Sequence, residues 1–126
     1  MIKNNNQKIV DQIFRKMISY KKISIFAHDV IDNDAYGSCL ALAMFLEQFN
    51  IEARIAGLHD TVIDNIKKYI DKDYLNDVDE EFASESLGVI LDLGTSKNII
   101  SNKYKLCKET IRIDHHPFVE KFCDVE

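Results

Sequence analysis

A chain of 126 residues, 46% hydrophobic and 29% charged, reads as one small domain spanning residues 1–126 with a single core. Its formal charge of −5, with no dense Lys/Arg stripe interleaved with aromatics, argues against this segment alone gripping a long nucleic acid. No run of 18 uncharged apolar residues is present and no signal-peptide-type apolar run follows Met1–Asn6, so no membrane partner is expected and a cytoplasmic location is the default.

The first apolar positions with helical spacing are Ile9, Val10, Ile13, Phe14, Met17 and Ile18, which predict an amphipathic helix over residues 6–20. Ile23–Ala27 reads as a buried strand. Residues 36–49 predict an apolar helix through Leu40, Leu42, Ala43, Phe45, Leu46 and Phe49, with Cys39 as a small core residue on its face. A second strand follows at Ile51–Gly57, and a helix is expected over 61–70. Residues 71–86 are acidic and polar, a loop or a poorly packed helix, and the charged run Asp71–Glu85 reads as a solvated face. Leu87–Leu93 is a third strand, a short helix follows Ser96, and Thr110–Ile113 is the fourth strand. Strands alternating with helices predict an α/β fold, a parallel sheet with helices on both faces.

Three of these strands end in residues that bind hard metal ions. The first is followed by His28, Asp32 and Asp34, the third by Asp92, and the fourth by Asp114-His115-His116. Open α/β sheets bind ligands at the C-terminal ends of their strands, so the three clusters can share one crevice. Asp32 and Asp34 are one residue apart, which puts both on one side of an extended segment. Asp34 also precedes a predicted helix, whose N-terminus favours an anion or a phosphate. Gly37 permits close backbone approach. The plainer reading makes Asp32 and Asp34 turn and N-cap residues, Asp92 a turn former, and the two histidines a surface pair. None of these accounts for all three clusters at strand ends. Adjacent imidazoles on a strand tip point in different directions, so one of His115 and His116 can ligate metal while the other contacts substrate. Asp114 can orient a histidine. Thr95 and Ser96 read as a helix cap and His59 as a loop histidine.

Carboxylates with imidazoles suit Mn²⁺ or Mg²⁺. The three cysteines, Cys39, Cys107 and Cys123, are odd in number and show no CxxC spacing, so neither disulfides nor a zinc site is expected. A bound pair of divalent cations would offset part of the negative charge locally.

Together these segments resemble the DHH phosphoesterase family, named for the triplet at Asp114-His115-His116. The first family motif, H-x-x-P-D-x-D-A-x-G-S, is met by His28 and by Asp32-Asn33-Asp34-Ala35-Tyr36-Gly37-Ser38, with Ile31 in place of proline. The second is an apolar strand ending in Asp92, with Asn98 where many relatives have arginine. The third matches through Pro117. The wording is most like the bacterial oligoribonuclease/pAp-phosphatase branch. The resemblance implies two Mn²⁺ ions: His28 and Asp32 on one, Asp34 and His115 on the other, Asp92 bridging, and His116 contacting the scissile phosphate. It implies hydrolysis of short oligonucleotides or small nucleotides such as pAp or cyclic dinucleotides. An inorganic pyrophosphatase of the same family and a non-catalytic metal- or nucleotide-binding module are the alternatives. It also implies a fourth-motif aspartate and a C-terminal substrate-binding domain. The chain ends at Glu126, and Asp124 falls short of the family spacing, so the expectation is an N-terminal DHH-type domain truncated before both. A homodimer is compatible with the sequence.

Overall fold

The computed structural model describes residues 2–27, 33–57, 68, 77–91 and 102–113. Four strands, β1 (Lys22–Phe26), β2 (Glu52–Ile55), β3 (Leu87–Leu91) and β4 (Glu109–Ile113), form a sheet in the order β2-β1-β3-β4. Every pairing is parallel, with Phe26 opposite Ile90 and Ile90 opposite Arg112. The helices among the described residues are α1 (Ile2–Ile18), α2 (Asn33–Glu47), α3 (Glu80–Ser84) and a 3₁₀ turn at Asn102–Leu106.

The central strands are apolar on both sides because helices cover both faces. On one face Ile23, Ile25, Leu87, Val89 and Ile111 pack with Met17 of α1 and with Cys39, Ala43 and Leu46 of α2. On the other, Phe26 and Ile90 pack with Val78, Phe82, Ala83 and Tyr104. The expected α/β architecture with helices on both faces is what forms. β1, β3 and β4 lie within about a residue of the expected bounds wherever described, while β2, expected over Ile51–Gly57, ends at Ile55 because the chain turns at Ala56 and Gly57. The helices begin earlier: α1 takes in the weak helix formers Asn4–Asn6, and α2 starts at Asn33. Propagating a helix from a nucleated amphipathic turn adds one hydrogen bond per residue, which outweighs the small propensity penalty.

The stretch before β3 departs most from expectation. The described part of the acidic run is not simply a solvated face. Val78, Phe82 and Ala83 are buried, and α3 is a packed element. Asp79 caps it, accepting from the Phe82 amide at 2.7 Å. Asp77 accepts from the amides of Gly57 and Val78, tying the exit of β2 to the approach of α3. Arg54 stacks over the Phe82 ring at 4.4 Å, and the Lys103 ammonium donates to the Val78 carbonyl at 2.8 Å. Beneath α3 the Ser86 hydroxyl donates to the Ala83 carbonyl, which leaves Ser24 to donate to Ser86 at 2.6 Å.

At the other end of the sheet, Lys16 and Tyr20 both donate to Glu109, fixing the C-terminal end of α1 against the start of β4. No helix among the described residues is long and apolar enough to cross a membrane. Cys39 and Cys107 are free thiols. The helix expected over 61–70 (Lys68 aside, which lies in a turn), His59, Thr95, Ser96 and the start of the helix after Ser96 lie outside the described residues.

Candidate functional site

The strand order decides where a ligand belongs. The chain passes from β1 outward to β2, then returns past β1 to β3 and on to β4. The direction of winding therefore reverses between β1 and β3. In open α/β sheets the crevice at such a reversal, beyond the C-terminal strand ends, is where ligands bind. Here that edge is marked by Phe26, Leu91 and Ile113, the last residues of β1, β3 and β4. α2 must carry the chain back between two parallel strands, so its N-terminus lies at this same edge.

His28, Asp32, Asp92, Asp114, His115 and His116 lie outside the described residues. Their place in the chain is nevertheless informative. Phe26, Ile90 and Arg112 form one paired row across the sheet. His28, Asp92 and Asp114 each stand two residues beyond a member of that row. Asp34 is in the first turn of α2. Four described elements thus lead the chain into all seven candidate residues from a single edge. Gly37, in the second turn of α2, is exposed, and a Cβ built there meets no described atom within 4 Å. The protein's own described packing does not demand glycine at that position.

Arg112 was passed over in the sequence. It is 6% exposed, on the face of β4 shared with Phe26 and Ile90 in that row. Burying a guanidinium is costly unless anions or carbonyls compensate it. The signal for it was an arginine inside an otherwise apolar strand, two residues before Asp114.

The described thiols stand apart from this edge. Cys39 is in the core, and burial pushes its thiol up to about 12. Cys107 precedes β4 at the opposite edge, and burial raises its thiol as well, against hydrogen bonding to Ser86 and Ser24. Neither offers a thiolate near neutral pH. Among the described residues no group of three His, Cys, Asp or Glu side chains could hold a metal ion.

A doubly wound parallel sheet whose strand order reverses between β1 and β3 defines an α/β domain with a switch point at the C-terminal ends of those strands. The sequence profile described as "DHH family, N-terminal domain" matches residues 22–125, and the chain belongs to that family. It is 35% identical over 121 residues to the Mycoplasma genitalium protein named "Uncharacterized protein MG371", covering 94% of this chain and 37% of that protein. Its homolog in Mycoplasma pneumoniae is 30% identical over 125 residues, covering 98% of this chain and 38% of that one. The chain is also 29% identical over 103 residues to the "Bifunctional oligoribonuclease and PAP phosphatase NrnA" of Mycoplasma genitalium, covering 78% and 31%. It spans a little over a third of the length of the first two relatives.

Proposed function

We propose that this domain is the metal-binding part of a phosphoesterase that hydrolyses short oligonucleotides or small nucleotides such as pAp or cyclic dinucleotides. The observation that carries the reading is the reversal of winding between β1 and β3, at the edge from which every candidate ligand segment departs. Membership of the DHH family and similarity to a protein named as an oligoribonuclease and PAP phosphatase support it.

The donor set, imidazoles and carboxylates with the described thiols held neutral elsewhere, fits Mn²⁺ or Mg²⁺. His28 and Asp32 would hold one ion, Asp34 and His115 a second, and Asp92 both. When bound, such a pair supplies Lewis-acid activation of water and neutralises charge developing at phosphorus. The chain's own groups do the rest. His116 donates an N–H to a non-bridging phosphate oxygen. Asp114 would accept from an imidazole N–H and so fix the tautomer of a neighbouring histidine. The amides at the start of α2 face an anion favourably, and the open position at Gly37 lets a phosphate approach the backbone.

Mn²⁺ titration calorimetry with turnover of pAp, a dinucleotide, a cyclic dinucleotide and pyrophosphate tests this. Asp92→Asn should lower both the number of ions bound and their affinity. His116→Ala should keep Mn²⁺ binding and reduce turnover. Wild type that binds no Mn²⁺, or Asp92→Asn that binds like wild type while His116→Ala loses metal, overturns the assignment. Turnover of pyrophosphate alone identifies the pyrophosphatase alternative.

A further inference from the structure

The basic residues of this chain are unevenly placed. Residues 1–22 carry Lys3, Lys8, Arg15, Lys16, Lys21 and Lys22 against a single acid, Asp11, in a chain whose formal charge is −5. Most of that excess lies on α1. Its polar side presents Lys8, Asp11, Gln12, Arg15 and Lys16 at three- and four-residue spacing, along an open groove of about 480 Å³. Lys16 is held by Glu109, and Asp11 accepts from the Gln7 amide at 3.0 Å. Lys8 and Arg15 are exposed, and neither has an ion-pair partner among the described residues. They stand two turns apart, about 10.5 Å along the helix. Only Ser19–Lys21 separate α1 from β1, and Lys16 and Tyr20 bind Glu109 at the start of β4, so α1 runs back against the strands. Its 17 residues rise about 25 Å, against about 17 Å for a five-residue strand. Lys8 therefore stands about 15 Å above the C-terminal end of α1, close to level with the strand tips, and Arg15 lies below it.

We infer, resting on the phosphoesterase reading for the class of substrate, that this side of α1 is a track for the sugar-phosphate backbone of a short oligonucleotide. The end of the strand lies at the crevice, and the nucleotides behind it run over Lys8 toward Arg15. Charge selects this occupant. A single strand is a polyanion, and each lysine or arginine that meets a phosphate releases condensed counterions. The Gln12 amide between the two cations adds a neutral donor of the kind that contacts phosphate oxygens. Two cations without partners make a short, weak contact, in keeping with a chain that lacks a dense basic stripe. An anionic membrane fits less well. A helix lying on lipid turns its apolar centre to the acyl chains, but here Ile13 and Met17 pack toward the sheet.

Fluorescence anisotropy of a labelled single-stranded RNA of about five nucleotides, in EDTA and from about 50 to about 200 mM salt, tests this. EDTA removes metal ions, so the result does not depend on turnover. Each cation lost should flatten the slope of log K against log salt by about 0.7, and the Lys8→Gln/Arg15→Gln double variant by about 1.4. Across that range of salt, wild type should lose about sevenfold more affinity than the double variant. Both side chains are exposed and glutamine is about as good a helix former, so the circular dichroism should be unchanged. Lys105→Gln removes an exposed lysine from the 3₁₀ turn before β4 and should leave the slope as in wild type. No RNA binding at the lowest salt, a slope indifferent to the double variant, or one flattened as much by Lys105→Gln overturns the inference. Binding to vesicles containing phosphatidylglycerol, with none to RNA, assigns this side of α1 to a membrane and overturns it too. RNA binding that depends on Lys8 and Arg15 in a chain that hydrolyses no phosphate ester supports the track and sinks the phosphoesterase reading. Turnover with a slope indifferent to the double variant does the reverse.

Discussion

Gly88 sits in the middle of β3, between β1 and β4, on the strand that leads into Asp92. A Cβ there would stand 3.0 Å from Cys107 Sγ, 3.3 Å from Cys107 Cβ and 3.3 Å from Thr110 Cγ2. Carbon–carbon and carbon–sulfur contacts are optimal some half an ångström or more further out, so Gly88→Ala must push β3, β4 or the bend at Cys107. Overpacking of this kind costs about 1–3 kcal/mol. Alanine also removes unfolded-state freedom, which offsets about 0.4–1 kcal/mol. The clash wins, and a net loss of about 1–2 kcal/mol is expected. Cys107 is half-buried, while Thr110 lies in the sheet, so the cysteine is the neighbour that can yield. Truncating it removes the nearest atom but leaves the two 3.3 Å contacts. In a Cys107→Ala background the loss from Gly88→Ala should shrink by about 1 kcal/mol, the coupling expected of touching side chains. Urea denaturation of the four proteins of this double-mutant cycle, followed by circular dichroism, measures both numbers. Gly88→Ala as stable as wild type, or an equal loss in both backgrounds, would falsify the packing argument.

Two further outcomes are set by ionisation. Lys16 and Tyr20 hold the Glu109 carboxyl below its ordinary value of 4.5, so its stabilisation is present above about 4.5 and lost as pH falls through the lower folded value. Wild type should therefore exceed Glu109→Gln in stability near neutral pH, with the gap closing toward pH ~3; a gap that widens in acid contradicts the pairing. Cys39 is buried with its thiol raised from 9.0 to about 12, so the contribution of the neutral thiol is intact below 9 and lost above it. Between those values wild type should lose about 1.4 kcal/mol per pH unit more than Cys39→Val. Native Cys39 should also resist a thiol reagent near neutral pH until the chain unfolds, which mass spectrometry of labelled peptides reports.

Local sequence determined a good deal of this protein. Strands buried on both faces read as nearly continuous apolar runs, so β1 and β3 were legible without any knowledge of their neighbours, and β4 from its β-branched residues despite Arg112. The residues that follow them stand out because aspartate and histidine are poor continuations of such runs. α1 was legible from its 3.6-residue period, and Cys39 as core from its place on the apolar side of α2. Other features depend on contacts between segments far apart in the chain. The order β2-β1-β3-β4 follows from pairings across some sixty residues between β1 and β3, and only that order makes the edge between them a reversal point. The run around α3 looked solvated because its acids outnumber its apolar residues. Val78, Phe82 and Ala83 became core once Asp79 capped the helix and Arg54 and Lys103 reached it from elsewhere. The burial of Arg112 is likewise decided only by the assembled sheet, in which β4 pairs with β3. The sequence marks Phe45 and Phe49 as apolar positions of the helix expected over 36–49 in the same way as Ala43 and Leu46; which of them the sheet covers is fixed only when the sheet and α1 are in place, and Phe45 and Phe49 stay partly exposed.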